Sequence, residues 1–128
     1  MNSDTKHILI IEDDSLLRGV LRDELERENF QVSEAKDGKV GLEMATSNSY
    51  DLILLDIVMP NKDGLSVLRQ FRKHDHASKV PVILLSNLND PEKVAEAMLD
   101  DYVHDYLVKS DWSLADVTKK VKTVLGVL

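Results

Sequence analysis

The sequence predicts an α/β protein built as a doubly wound, five-stranded parallel sheet with helices on both faces. Two observations support this prediction. Short apolar runs alternate five times with stretches of helical periodicity, and two of the runs, 8–11 and 52–55, are continuously apolar. Such runs are typical of parallel strands that helices cover on both faces. Because crossovers between parallel strands are right-handed, the helices divide between the two faces.

The first strand is predicted at His7 to Ile11, and the first helix follows it closely. Three acids, Glu12, Asp13 and Asp14, stand between the two elements. The helix is indicated by apolar residues that recur with a period of about 3.6. We expect the following residues to face the sheet: Leu16, Leu17, Val20, Leu21 and Leu25.

The second strand is predicted at Phe30 to Ala35, where apolar and polar residues alternate as in a half-covered edge strand. Asp37 and Gly38 then form a turn signal before the second helix. The third strand is the apolar run that ends at Asp56, and turn residues follow it before the third helix. The apolar positions of these two helices are Val40, Leu42, Met44, Ala45, Leu65, Val67, Leu68 and Phe71.

The fourth strand is predicted at Val80 to Leu85 and runs into Ser86. Asp90 followed by Pro91 is typical of a helix start, with the aspartate as N-cap and the proline at the first helical position. We therefore expect the fourth helix to begin there.

The fifth strand is predicted at Asp105 to Val108, and Lys109 follows it. Residues 113–116 have the form of a capping box, which predicts the start of the closing helix. The inner face of that helix is indicated by Leu114, Val117, Val121, Leu125 and Leu128.

The composition is that of one globular domain, with 128 residues, 43% hydrophobic and 30% charged. We expect a single domain over residues 1–128 with its core at about 6–126. The net charge of −7 argues against direct nucleic-acid binding and against anionic membranes. The chain has no cysteine, so disulfides and thiolate metal sites are excluded. The apolar runs are too short to span a bilayer, and we expect a cytoplasmic protein.

Polar side chains stand at the carboxyl ends of four predicted strands: Glu12 and Asp13, Asp56, Ser86, and Lys109. Because these ends meet at one edge of a parallel sheet, we expect the side chains to converge. Carboxylates about 5 Å apart repel by roughly 3 kcal/mol per pair at an effective dielectric near 20, so the acids require a cation. All-oxygen ligands suit Mg²⁺. A lysine and a hydroxyl beside the ion would bind a phosphoryl group, with Asp56 as its nucleophile.

Four segments carry a resemblance to a known family: Ile8-Leu-Ile-Ile-Glu-Asp-Asp14, Asp51-Leu-Ile-Leu-Leu-Asp-Ile-Val-Met-Pro-Asn-Lys-Asp-Gly64, Pro81-Val-Ile-Leu-Leu-Ser86 and Asp105-Tyr-Leu-Val-Lys109. In their order and spacing they resemble the receiver domain of two-component response regulators. The resemblance covers nearly the whole chain and is strongest to stand-alone receivers of the chemotaxis-regulator type. It implies a flavodoxin-like topology with strand order 2-1-3-4-5.

The resemblance implies a role for each residue at this edge. Asp56 would be the phosphoacceptor, and Asp13 and Asp56 would bind Mg²⁺ directly. Glu12 would act through a metal-bound water, and the backbone carbonyl of Val58 would be a third protein ligand. Mn²⁺ could substitute for Mg²⁺. Lys109 would pair with Asp56 and then with its phosphate.

The resemblance also implies a switch and its partners. Ser86 would donate its hydroxyl to a phosphate oxygen, and the ring of Tyr106 would then turn inward. The phosphodonor would be a phosphohistidine on a sensor histidine kinase or a histidine phosphotransfer protein. An output partner, not identified by the sequence, would bind the face formed by the fourth helix, the fifth strand and the fifth helix. Phosphorylation could also drive formation of a homodimer. Such a protein is a phosphoacceptor and not a turnover enzyme.

The chain departs from the family pattern at three places. Ser110 stands where the family usually has a proline in a cis peptide, so we expect a trans link with a shifted loop or a strained cis bond. Tyr102 and Val103 replace Gly-Ala, and the turn before the fifth strand must form without a permissive glycine. Asn87 replaces a small residue, which predicts an altered rate of dephosphorylation.

Three alternatives remain open from the sequence. A receiver-like interaction module that no longer takes phosphate would have the same fold. A metal-dependent phosphatase with an aspartate nucleophile is disfavoured, because such enzymes typically carry a second acid where this chain has Val58. A flavin-binding electron carrier is disfavoured because no Ser/Thr/Gly-rich phosphate loop follows the first strand.

Overall fold

The computed structural model describes residues 5–59, 63–86 and 91–127, and in these residues five strands alternate with five helices. The strands are β1 (His7–Ile11), β2 (Gln31–Ala35), β3 (Leu52–Asp56), β4 (Val82–Ser86) and β5 (Val103–Val108). The helices are α1 (Ser15–Arg27), α2 (Gly38–Ser47), α3 (Gly64–Phe71), α4 (Pro91–Ala97) and α5 (Leu114–Leu125). Within the described ranges, no helix combines the length and the apolar character needed to cross a bilayer.

The strands form one parallel sheet in the order β2-β1-β3-β4-β5, which confirms the predicted fold class. The register pairs Ile11 with Leu55, Asp56 with Leu85, and Ser86 with Val108. The carboxyl ends of β1, β3, β4 and β5 therefore lie at one edge of the sheet, as the sequence predicts.

The core has two layers, one on each face of the sheet. Leu9 and Ile11 belong to the layer that α2, α3 and α4 cover, whereas Ile8 and Ile10 belong to the layer under α1 and α5. All four side chains are fully buried. The continuous apolar run of β1 follows from this arrangement, because successive side chains point to opposite faces and both faces are covered.

Three predicted strand boundaries are wrong at their amino ends. β4 begins at Val82, two residues later than predicted. β2 begins at Gln31, because Asn29 and Phe30 still belong to the turn that closes the carboxyl end of α1. Asn29 has a positive φ of 70°, and the Phe30 amide donates to the Leu25 carbonyl. Phe30 is buried beneath α1 instead of extending the strand. β5 begins at Val103, two residues earlier than predicted, since Val103 pairs with Val82.

The predicted inner face of α1 is also partly wrong. Leu21 and Leu25 are fully buried, and Leu17 packs on the same layer of the core. Leu16 and Val20 are 78% and 40% exposed. Each of them precedes an inward-facing residue, Leu17 or Leu21, by one position. One position rotates the side chain by about 100° around the helix axis, which turns Leu16 and Val20 away from the sheet.

The turn between α4 and β5 forms without glycine. Asp100 replaces it, because its Oδ1 accepts the Tyr102 amide at 2.9 Å and its carbonyl accepts the Val103 amide at 3.1 Å. Arg72 holds Asp100 in place through two hydrogen bonds of 2.9 and 3.2 Å. In the described residues only Asn29 and Gly126 have positive φ.

The departure at Ser110 resolves to the trans alternative, since no peptide bond among the described residues is cis. The predicted N-cap Asp90 and the departure at Asn87 lie outside the described residues, so both stay predictions.

Two helical glycines are expected to respond oppositely to substitution by alanine. A Cβ at Gly41 would lie 2.6–2.8 Å from three atoms of the buried Ile11 side chain, whereas a Cβ at Gly19 would meet only the Arg22 Nη2, at 3.8 Å. Gly41→Ala should destabilise the protein by about 1–3 kcal/mol through overpacking. Gly19→Ala should stabilise it by roughly 0.5–1 kcal/mol through helix propensity. Urea unfolding at equilibrium measures both, and equal effects would contradict the packing of α2 against β1.

Candidate functional site

An acidic cluster lies at the carboxyl edge of the sheet. Glu12 follows β1, Asp13 follows Glu12, and Asp56 is the last residue of β3. One carboxylate oxygen from each residue lies within 4.8 Å of the other two. Glu12 is 0% exposed and Asp56 is 1% exposed, while Asp13 is open to solvent. The sequence predicts this convergence, and the described geometry agrees with it.

Lys109 contacts both buried acids. Its ammonium donates a hydrogen bond of 2.9 Å to Asp56 Oδ2 and lies 2.6 Å from Glu12 Oε1 in an ion pair. The backbone amide of Lys109 donates to the Ser86 carbonyl at 2.7 Å, which fixes the residue at the end of β5. The contact with Asp56 agrees with the family resemblance. The contact with Glu12 is not predicted by the sequence, because it depends on the lysine reaching across two strands.

Burial dominates the electrostatics of this cluster. It raises the pKa of Glu12 to about 8, against the opposing effect of the Lys109 ammonium. Burial also raises the pKa of Asp56, although Lys109 and the Val58 amide favour its charged form. For Lys109 itself, burial alone would lower the pKa, but the contacts with Glu12 and Asp56 outweigh burial and raise it. One ammonium is thus shared by two buried carboxyl groups, and burial shifts Glu12 towards its protonated form.

The cluster fits a Mg²⁺ ion. Its donors are carboxylate oxygens alone, which Mg²⁺ prefers. Glu12 Oε1 is buried, and the Lys109 ammonium that lies 2.6 Å from it is shared with Asp56. A divalent cation would add the positive charge that one ammonium cannot give three acids, and it would offset the repulsion between them.

The segment after β3 packs closely against Asp56. The Val58 amide donates a hydrogen bond of 3.0 Å to Asp56 Oδ1. A Cβ at Gly64 would lie 2.3 Å from the Asp56 carbonyl oxygen and 2.5 Å from Ile57 Cα, so only glycine fits at the start of α3. Asp63 caps this helix by accepting the Leu65 amide.

Ser86 and Tyr106 lie beside one cavity of about 340 Å³ between α4 and β5. Ser86 is buried, and its hydroxyl donates to the Leu107 carbonyl at 3.5 Å, the long limit of a hydrogen bond. Tyr106 is 43% exposed. Val94 and Met98 line the cavity, which is mainly apolar. The Ser86 hydroxyl is therefore weakly held, and a space borders the Tyr106 ring.

Sequence reasoning misses one residue at this site, Arg18. The helical pattern places it on the polar face of α1, yet its Nη1 donates a hydrogen bond of 2.8 Å to the backbone carbonyl of Glu12. The only sequence signal is an arginine in the helix directly after the acids, and that signal does not specify a backbone partner.

Comparison with known proteins identifies relatives of the whole described fold. A family model described as the response regulator receiver domain matches residues 8–122. The response regulator ArlR of Staphylococcus saprophyticus is 40% identical over 119 residues, which are 92% of this chain and 51% of the relative. The chain therefore spans about half the length of this curated relative.

Two solved structures of receiver proteins share the fold and contain Mg²⁺. One is the receiver domain of a sensor histidine kinase from Pseudomonas aeruginosa, with a magnesium ion coordinated in the active site cleft. It is 25% identical, with a TM-score of 0.84 over 95% of this chain and 98% of that one. The other is the response regulator TrrA of Thermotoga maritima in complex with Mg²⁺ and BeF. It is 29% identical, with a TM-score of 0.80 over 94% and 99% of the two chains.

Replacing Glu12 with glutamine is expected to stabilise the metal-free protein increasingly as the pH rises. The folded protein keeps a proton on Glu12 up to about pH 8, whereas an ordinary glutamate loses it near 4.5. Wild-type stability from this group is therefore present at low pH and lost between these values. The advantage of Glu12→Gln should grow from near zero at pH 5 to on the order of a few kcal/mol at pH 8.5.

Urea unfolding in the presence of a metal chelator measures this difference. Glu43→Gln, on the exposed surface of α2, is the matched control, because it makes the same substitution away from the buried cluster. A constant advantage of Glu12→Gln, or one that shrinks as the pH rises, would contradict the assigned electrostatics.

Proposed function

The chain belongs to the receiver domain family of response regulators, and we propose from this that it is a phosphorylation-dependent switch whose phosphoacceptor is Asp56. One observation carries the proposal. Asp56 is a buried carboxylate with an ammonium 2.9 Å away on one side and two further acids within 4.8 Å. A structural ion pair needs no such surplus of negative charge, whereas a site for a cation and a phosphoryl group does.

The proposed reaction is an in-line displacement at phosphorus. An oxygen of the Asp56 carboxylate forms a bond to the phosphorus of a phosphohistidine as the P–N bond breaks. The electron pair of that bond leaves with the imidazole nitrogen of the donor. The product is an aspartyl phosphate, which is a known type of covalent intermediate. Water later hydrolyses it and releases phosphate, which restores the carboxylate.

Residues around Asp56 hold and neutralise the reacting groups. We propose that Asp13, Asp56 and the Val58 carbonyl bind Mg²⁺ directly and that Glu12 acts through a water, with Mn²⁺ as a possible substitute. When bound, the ion supplies positive charge at the phosphoryl oxygens. Lys109 bridges Glu12 and Asp56 before the reaction and is placed to pair with the phosphate afterwards.

The proposed switch couples the phosphate to β5. The Ser86 hydroxyl has only a 3.5 Å hydrogen bond to give up, so a phosphate oxygen would be a stronger acceptor for it. Movement of Ser86 would change the wall of the cavity beside Tyr106. The ring of Tyr106 could then move from its exposed position into this cavity, and the surface of α4, β5 and α5 would change.

The partners follow from the same proposal. The donor is a sensor histidine kinase or a histidine phosphotransfer protein, and the output partner binds the face of α4, β5 and α5. Phosphorylation could also drive formation of a homodimer. The net charge of −7 supports a partner other than nucleic acid. We further propose that residues 1–128 form one receiver domain and that it works in the cytoplasm as a phosphoacceptor, not as a turnover enzyme.

Incubation with acetyl phosphate and Mg²⁺ tests the proposal directly. Intact-mass spectrometry should detect a gain of about 80 Da, the mass of one phosphoryl group. The gain should depend on Mg²⁺ and be absent in Asp56→Asn, because an amide is not a nucleophile of this kind. Asp51→Asn is the matched control, since Asp51 lies at the opposite end of β3 and should leave phosphorylation intact.

The outcome also separates the alternatives. A gain of mass that persists in Asp56→Asn would move the phosphoacceptor to another residue. No gain with acetyl phosphate or with any phosphohistidine donor would favour a receiver-like interaction module.

A further inference from the structure

Arg18 connects α1 with the acids after β1. Its side chain is only 17% exposed, although it belongs to a helix at the surface. Its guanidinium makes two contacts in the described part of the chain. Nη1 donates a hydrogen bond of 2.8 Å to the backbone carbonyl of Glu12, and Nε donates one of 3.3 Å to Glu34 Oε1 on β2.

The carbonyl that Arg18 holds belongs to the peptide between Glu12 and Asp13. Because a peptide unit is planar, fixing this carbonyl also fixes the amide of Asp13 and restricts the directions in which the two side chains leave the backbone. The other side of Glu12 is fixed too, since its amide donates to the Ala35 carbonyl at 3.1 Å. The Glu12 side chain accepts the Asp14 amide at 3.1 Å. Arg18 therefore completes the support of the two acids.

Glu34 orients the Arg18 guanidinium and offsets its charge. The second oxygen of Glu34 lies 3.0 Å from Arg22 Nη1, one turn further along α1. Arg22 thus shares the acidic partner of Arg18, but its ion pairs are with Asp23, Glu26 and Glu34 and not with the backbone of Glu12. The two arginines have the same charge and lie on the same helix, but only Arg18 is hydrogen-bonded to the Glu12 carbonyl in the described residues.

We propose that Arg18 is a positioning residue for the Mg²⁺ site, which it serves by holding the Glu12–Asp13 peptide, and this inference rests on the proposed function. Without Arg18 the charges of the acids remain, but the ion must order the peptide when it binds. Mg²⁺ affinity therefore falls. Electrostatics alone gives the opposite sign, because removing a positive charge near the acids strengthens their attraction for a cation. The sign of the change separates the two explanations.

The test compares Arg18→Gln with Arg22→Gln, which removes the same charge from the same helix. Mg²⁺ binding is titrated by calorimetry without any phosphodonor. Arg18→Gln should raise the Mg²⁺ Kd about tenfold, as is typical when a group that orients a metal ligand is lost. Arg22→Gln should leave the Kd at the wild-type value or lower it. With acetyl phosphate, Arg18→Gln should need more Mg²⁺ for half-maximal rate, while the rate at saturating Mg²⁺ stays close to wild type.

Two further measurements exclude a general loss of structure. The amide resonance of Asp13 in the metal-free protein should shift in Arg18→Gln and not in Arg22→Gln. Arg18→Lys keeps one donor for the Glu12 carbonyl and should have a Kd between those of wild type and Arg18→Gln. If Arg18→Gln fails to fold, Arg18→Lys decides: a Kd above the wild-type value supports the proposal, and an unchanged Kd overturns it.

The results also separate this inference from the function on which it rests. An unchanged or lower Kd in Arg18→Gln, or an equal loss in Arg22→Gln, overturns the role of Arg18 alone. A wild-type protein that binds Mg²⁺ but takes no phosphate overturns the proposed function, while the titration still judges Arg18. A wild-type protein that binds no Mg²⁺ overturns both.

Discussion

Two carboxylates, Glu12 and Asp56, are removed from water at the edge of the sheet, and the Lys109 ammonium contacts both. Burying an ion costs several kcal/mol even after the protein relaxes, so neither acid would remain charged in this position without a cation. The arrangement of the site depends on this contact of Lys109 with the two acids. The parallel register brings β1, β3 and β5 to one edge, and Gly64 lets α3 begin directly against the backbone of Asp56. Because the two buried acids share a single ammonium, the cluster keeps an excess of negative charge. Mg²⁺ would compensate this excess.

The sequence predicts most of the fold and the membership of the site, for a physical reason. Parallel strands buried on both faces are continuously apolar, and the polar residue that ends each run must lie at the carboxyl edge. Asp13, Asp56 and Lys109 are found in this way. Contacts that depend on side-chain reach or on the rotation of a helix are not predicted. Lys109 reaches Glu12 across two strands, Arg18 turns inward to a backbone carbonyl, and Leu16 turns outward. Periodicity assigns a residue only to one broad face of a helix or strand. It does not specify which residues of that face reach a given contact.

Two of the departures from the family pattern border β5, which still pairs with β4 apart from one register shift between Val82 and Ile83. Asp100 and Arg72 build the turn into β5 without glycine, and β5 pairs with β4 as far as Val108. The peptide after Lys109 is trans, and the Lys109 amide is still bonded to Ser86. The lysine is therefore positioned by sheet pairing and does not require a proline after it. The exposed ring of Tyr106, with the cavity beside it, lies on β5.

The surplus negative charge around Asp56 is proposed to serve a phosphoryl group bound to that residue. Borohydride reduction of the phosphorylated protein tests this most directly, because it converts an aspartyl phosphate into homoserine at the modified position. Peptide mapping by mass spectrometry should then find homoserine at position 56 in the sample treated with Mg²⁺ and a phosphodonor, and aspartate there when Mg²⁺ is withheld. Homoserine at Asp13 or at another acid, or at no position despite a gain of phosphate, would contradict the account.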